Sequence, residues 1–151
     1  RICSELSADA IATSIPGSYG SILETFIHVL KAEISFIKRI HRNYPEPDFK
    51  WEEKPNLPQL MSYETILHKA LLNTLQSVPA TQNVHEEDKN WTFDYQARLI
   101  FMSVIYHGIT HRTDITTALN HQGIDLPELD VWGYQAAYPE RFQAKIVKIG
   151  A

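Results

Sequence analysis

The sequence predicts an all-α helical bundle occupying residues 1–151 as one domain, and three observations carry that expectation. A proline-free stretch from Tyr19 to about Arg42 places Ile22, Phe26, Val29, Ile37 and Ile40 on one side of a helix. A second long stretch, Tyr95 to His121, repeats apolar residues at the helical period and ends at Gly123, with Pro127 beyond. No clean period-2 run of β-branched residues competes, and only the neighbourhoods of Trp91 and Ile146 come near one.

Element by element, Leu6 to Gly20 contains Ser7, Ala8 and Asp9 and then Pro16, Gly17 and Ser18, the mark of a short helix or turn leading into a loop. The first long helix follows. Pro45, Pro47, Pro55 and Pro58 then exclude a helix interior between Tyr44 and Pro58, because proline fixes φ and removes a donor. A loop of that length is expected to cover a site or wrap an adjacent surface. The next helix is expected to start at Ser62 as N-cap and to run through Ile66, Leu67, Leu71, Leu72 and Leu75 until Pro79 stops it. Ala80 to Trp91 is polar and charged, and Asp94 is the expected cap of the last long helix. Three helices are thus visible. An upstream helix, the C-terminal segment or a second subunit would complete a bundle.

Charge narrows the function. A net charge of -4 supplies no basic face for phosphate, so nucleic acid is not an expected partner. One cysteine, Cys3, cannot build a disulfide framework, and near a chain end it reads as inert or exposed and not as a nucleophile. No stretch approaches the roughly twenty apolar residues of a membrane span, and the signal-peptide pattern is missing. The expectation is a cytoplasmic protein without membrane partners. Arg1 in place of Met suggests that the natural N-terminus lies upstream.

The chemistry lies in the histidines. At 100° per residue, Ile100, Val104, His107, His111, Ile115 and Ala118 share one narrow stripe of the last long helix. Four residues apart, His107 and His111 stack one turn above another, the geometry in which two imidazoles share a metal ion. One inward histidine is more often a hydrogen-bonded core residue. Two in an apolar stripe are harder to satisfy that way, since each buried ring needs partners for its nitrogens. A zinc-type site needs a third ligand. Spacing offers His68, on a stripe with Leu71, Leu72 and Leu75, and His28, at the margin of an arc beside Thr25, Ala32 and Ser35. The pattern alone slightly prefers His68.

Two segments resemble the DinB-like family. Phe26, His28, Ala32, Glu33 and Phe36 are similar to its first signature, a histidine followed by Ala-Glu and an aromatic residue. Tyr106-His107-Gly108, His111-Arg112 and the later Leu119, Gly123, Pro127 and Asp130 are similar to its second. The resemblance runs from about Leu6 to Tyr134 and includes the Pro16-Gly17-Ser18 entry. It implies a four-helix bundle whose first helix is truncated here, a metal triad of His28, His107 and His111, and His68 left as a helix-core residue. Where many members carry Gly-Gln after His-Arg, this chain has Thr113-Asp114. Asp114, about 60° round the helix from His111, is either an acceptor for an imidazole N–H or a solvated or capping acid.

Other residues rank lower. Arg112 points away from the histidine stripe and suits an ion pair or a subunit contact; Glu24 reads as a surface carboxylate or a general base one turn from His28. Trp51, Trp91 and Trp132 read as packing aromatics or cavity walls.

A three-histidine centre with open coordination lowers the pKa of a bound water or thiol. The resemblance implies a divalent ion, zinc first with nickel, iron or copper as alternatives, a homodimer, and transfer of a low-molecular-weight thiol such as bacillithiol or mycothiol to an electrophile. Hydrolysis ranks below transfer, and no catalytic residue is assigned. The alternative is a metal-binding bundle without turnover, serving a stress-related or partner-binding role.

Overall fold

The computed structural model describes residues 2–41 and 43–142. The suggested strand near Ile146 and the helix end at Arg42 lie outside the described residues. Among the described residues the architecture is mostly helical, with one small antiparallel hairpin, so the all-α expectation is corrected to that extent.

The entry helix α1 spans Ala8–Ala12, and the first long helix, α2, spans Ile22–Ile40. Ser21 starts α2 as N-cap: its hydroxyl accepts from the Glu24 N–H at 3.2 Å, and Glu24 Oε2 accepts from the Ser21 N–H at 2.8 Å. This reciprocal pair satisfies two donors that the first helical turn leaves unpaired.

Helix α3 spans Leu57–Ser77 and starts five residues before the expected Ser62. Asn56 and Gln59 form a second capping box there, and Pro58 sits in the first turn, where no intrahelical N–H is needed. Its end before Pro79 is as expected. The loop ahead of α3 wraps the α2–α3 surface: the Tyr63 hydroxyl donates to the Pro45 carbonyl at 2.7 Å, and Phe49 and Trp51 meet Tyr63 edge-on.

Strands β1 (Asn83–Asp88) and β2 (Trp91–Gln96) form the hairpin, in register from Asn83 opposite Gln96 to Asp88 opposite Trp91. The stretch read only as polar and charged, Ala80 to Trp91, therefore contains β1, and the neighbourhood of Trp91 that comes near a strand pattern is β2. The alternation of β1 is hidden because only Val84 is buried; the other β1 side chains face water or a polar partner on β2. Asp94 lies in β2, bonded to His85, and does not cap a helix. The last long helix, α4, instead spans Arg98–His121 and follows Ala97, which has no side-chain cap. Gly123 closes α4 at φ 72°, the left-handed conformation that favours glycine. The short α5 spans Val131–Ala137.

Helix α2 packs against α3 on one side and α4 on the other. Leu30, Ile34, Ile37, Leu60, Tyr63, Leu67 and Leu71 form the α2–α3 core. Ile22, Ala118 and Leu119 join the foot of α2 to the end of α4, with Ile11 of α1 beneath. Val78, Val84, Ala97 and Ile100 anchor the hairpin between α3 and α4. Two expectations for α3 fail: Ile66, Leu72 and Leu75 are exposed, and His68 is exposed rather than in the helix core. Only the side of α3 that meets α2 is covered. No described helix is long and apolar enough to cross a membrane.

Candidate metal centre

The α2–α4 contact brings together the histidines of two distant segments. His28 projects from α2, His107 and His111 from successive turns of α4, and one ring nitrogen from each lies within 4.8 Å of the others. His107 Nε2 is 3.1 Å from His28 Nε2. Three imidazoles holding a tetrahedral zinc at about 2.0–2.1 Å would place their nitrogens roughly 3.3 Å apart; the His28–His107 pair already stands near that spacing, and the set, within 4.8 Å, would tighten onto an ion. His68 takes no part in the cluster.

Electrostatics favours the same reading. Burial, and then the neighbouring His111, hold His28 and His107 below the ordinary imidazole range. Both rings are thereby kept neutral, the form that donates a lone pair to a metal. His111, 7% exposed, donates from Nδ1 to Asp114 Oδ2 at 2.8 Å, which leaves its Nε2 free for the centre. Of the two roles open to Asp114, the structure places it as the imidazole acceptor. Asp114→Asn is expected to weaken divalent-metal affinity by about 10- to 100-fold while the helix content seen by circular dichroism stays unchanged.

Aromatic side chains wall the cluster. Tyr19 stacks on His28, with ring centres 4.1 Å apart and planes at 25°, and presents itself edge-on to His111. Phe36 meets His107 edge-on. Tyr19 is carried by the loop between α1 and α2, where Gly17 takes φ 88° and the Ser18 hydroxyl is pinned between the Ile15 and Gly20 carbonyls. The sequence reading missed Tyr19. Its only signal was its place between a turn and a helix cap.

A cavity of about 410 Å³ opens beside His28, lined by Tyr19, Glu24, Ile27, His28 and Lys31. Glu24 is committed to the capping box. The hydrogen bonds from Ser21 lower its pKa, so it is a fixed carboxylate and a poor base. Cys3 packs against the lower core, where burial pushes its thiol up, as suits an inert residue. Trp51 packs on Phe49, Trp91 lies half-exposed on the hairpin and Trp132 is exposed on α5; none lines this cavity.

Glu33 of α2 lies near Glu64 of α3 and Arg112 of α4. Burial first, and Glu64 next, raise its carboxyl to about 7, against the opposing pull of Arg112. Between about 4.5 and 7 the folded form keeps a proton that the unfolded chain has lost, so stability falls as pH rises through that window. Glu33→Gln is therefore expected to stabilise the protein at pH 8, by on the order of 2 kcal/mol, and to give no gain at pH 4. Thermal melts at the two pH values check both halves of the expectation.

These features define a predominantly helical protein with a candidate three-histidine metal centre between two helices. The DinB family model matches residues 1–142, and the chain belongs to the DinB family. No curated protein and no solved structure matches it.

Proposed function

We propose that this DinB-family protein binds one divalent ion, zinc in the first instance, through His28, His107 and His111, and transfers a low-molecular-weight thiol to an electrophile. The observation that carries the reading is the convergence of three ring nitrogens beside an open cavity. A bound ion there would supply Lewis acidity, so that a thiol loses its proton to solvent near neutral pH. The sulfur would then form a bond to the electrophilic carbon, whose leaving group departs with its electron pair.

The chain's own residues orient and shield. Asp114 holds the His111 ring, while Tyr19 and Phe36 cover His28 and His107. Ile27 offers the thiol's stem an apolar wall. Transfer is favoured over hydrolysis because a thiolate needs no further general base, and Glu24, the carboxylate of the cavity, is engaged elsewhere. A thiol-using reaction suits a reducing, cytoplasmic setting. Met102, Ile105, Tyr106 and Ile109 form an exposed apolar strip on α4 that suits the face of a homodimer.

The same commitment of Glu24 favours the second reading, a metal-binding bundle without turnover. Incubating metal-loaded protein with small thiols and a chromogenic alkylating electrophile decides between them. Thiol- and metal-dependent turnover that disappears in His107→Ala is the expected result. A loaded protein with no turnover across the thiol series would leave the binding role in its place, and sedimentation of the same samples gives the oligomeric state.

A further inference from the structure

The cavity beside His28 contains one feature that metal binding does not use. Lys31 lies three residues after His28 on α2, on the same face and one turn along, and lines the cavity. Its ammonium also lies 5.2 Å from the centre of the Trp51 ring. Two turns before it on the same helix, Glu24 turns its Oε2 to the Ser21 N–H, and nearby Lys54 offsets its charge. Lys31 balances the Glu24 carboxylate here, and an ion held by the neutral imidazoles would make this mouth locally positive on a chain whose net charge is -4.

From this geometry we infer that the cavity takes a thiol bearing a carboxylate, with Lys31 binding the carboxylate while the sulfur faces the three histidines. The inference rests on the proposed metal-centred thiol chemistry and names its substrate class. Because His28 and Lys31 stand one turn apart on the same face and line the same cavity, a short mercapto acid is the probe able to present its sulfur to one and its carboxylate to the other. Tyr19 and Ile27 suit a short apolar stem between the two groups.

The test uses the Co²⁺-loaded protein, whose visible absorption reports a ligand reaching the ion without any turnover. Three thiols of similar length serve as probes: 3-mercaptopropionate, neutral 2-mercaptoethanol and cationic cysteamine. The wild type is expected to bind 3-mercaptopropionate about tenfold tighter than 2-mercaptoethanol, the scale of one charge-assisted contact. In Lys31→Met that preference disappears while Co²⁺ affinity is retained, and in Lys31→Glu it turns toward cysteamine. A loaded wild type indifferent to the carboxylate, or a Lys31→Met protein that keeps the preference, overturns the role of Lys31 and leaves the metal centre standing. Failure of the wild type to take up Co²⁺ removes the metal centre and this inference together.

Discussion

Alanine at His107 is expected to lower affinity for Zn²⁺ by at least about a hundredfold, with His28→Ala close to it and His68→Ala without effect. Each of the first two removes a direct ligand. Loss of an outer hydrogen-bond partner already costs about 10- to 100-fold, so loss of a ligand should exceed that. His68 is exposed on α3 and stands apart from the cluster, and it provides the control for nonspecific surface binding. Isothermal titration with Zn²⁺, accompanied by metal analysis of the purified variants, measures all three. Metal retained by His28→Ala but lost with both His107→Ala and His68→Ala would place the third ligand where spacing first suggested it. No stoichiometric metal in the wild type would return the cluster to a buried polar contact.

Leu67→Ala is expected to be the most damaging apolar truncation on α3, costing about 2–5 kcal/mol. Leu67 is completely buried against Leu30, Ile34 and Ile37 of α2, with Tyr63 and Leu71 on its own helix. Removing its branched end leaves a void that two long helices cannot readily close. A thermal midpoint lowered by roughly 10 °C, with an unchanged denaturant slope, is the expected signature. The neighbouring Ile66→Ala is the contrast. Ile66 is 50% exposed, so its truncation should cost well under half as much. Equal losses at the two positions would mean that the outer face of α3 is covered in solution.

The contrast between Leu67 and Ile66 also shows where apolar patterning reaches its limit. Both belong to one run of aliphatic residues, and the run identified a helix correctly, but only packing against α2 distinguishes its covered side. The neighbourhood of Trp91 comes near a strand pattern and is β2, but its partner β1 was missed for a related reason. Nearly all of β1 is polar, and it is held by its ladder with β2 and by contacts such as His85 to Asp94, which join residues on different strands. Asp94 resembles a helix cap in isolation, yet its partner lies across the strand pair.

Local sequence determined what depends on spacing along a helix. The stripe that places Ile100, His107, His111 and Ala118 on one side of α4, the stop at Gly123 and the break before Pro79 all follow from 3.6 residues per turn and from the dihedrals of glycine and proline. Tertiary structure decided what depends on contact between helices. Packing of α2 on α4, with α3 on the other side, brings His28 to His107 and leaves His68 in solvent, and the pinned loop before α2 lays Tyr19 over the rings. Periodicity assigns a side chain to a face of its own helix, and packing determines which other residues that face meets.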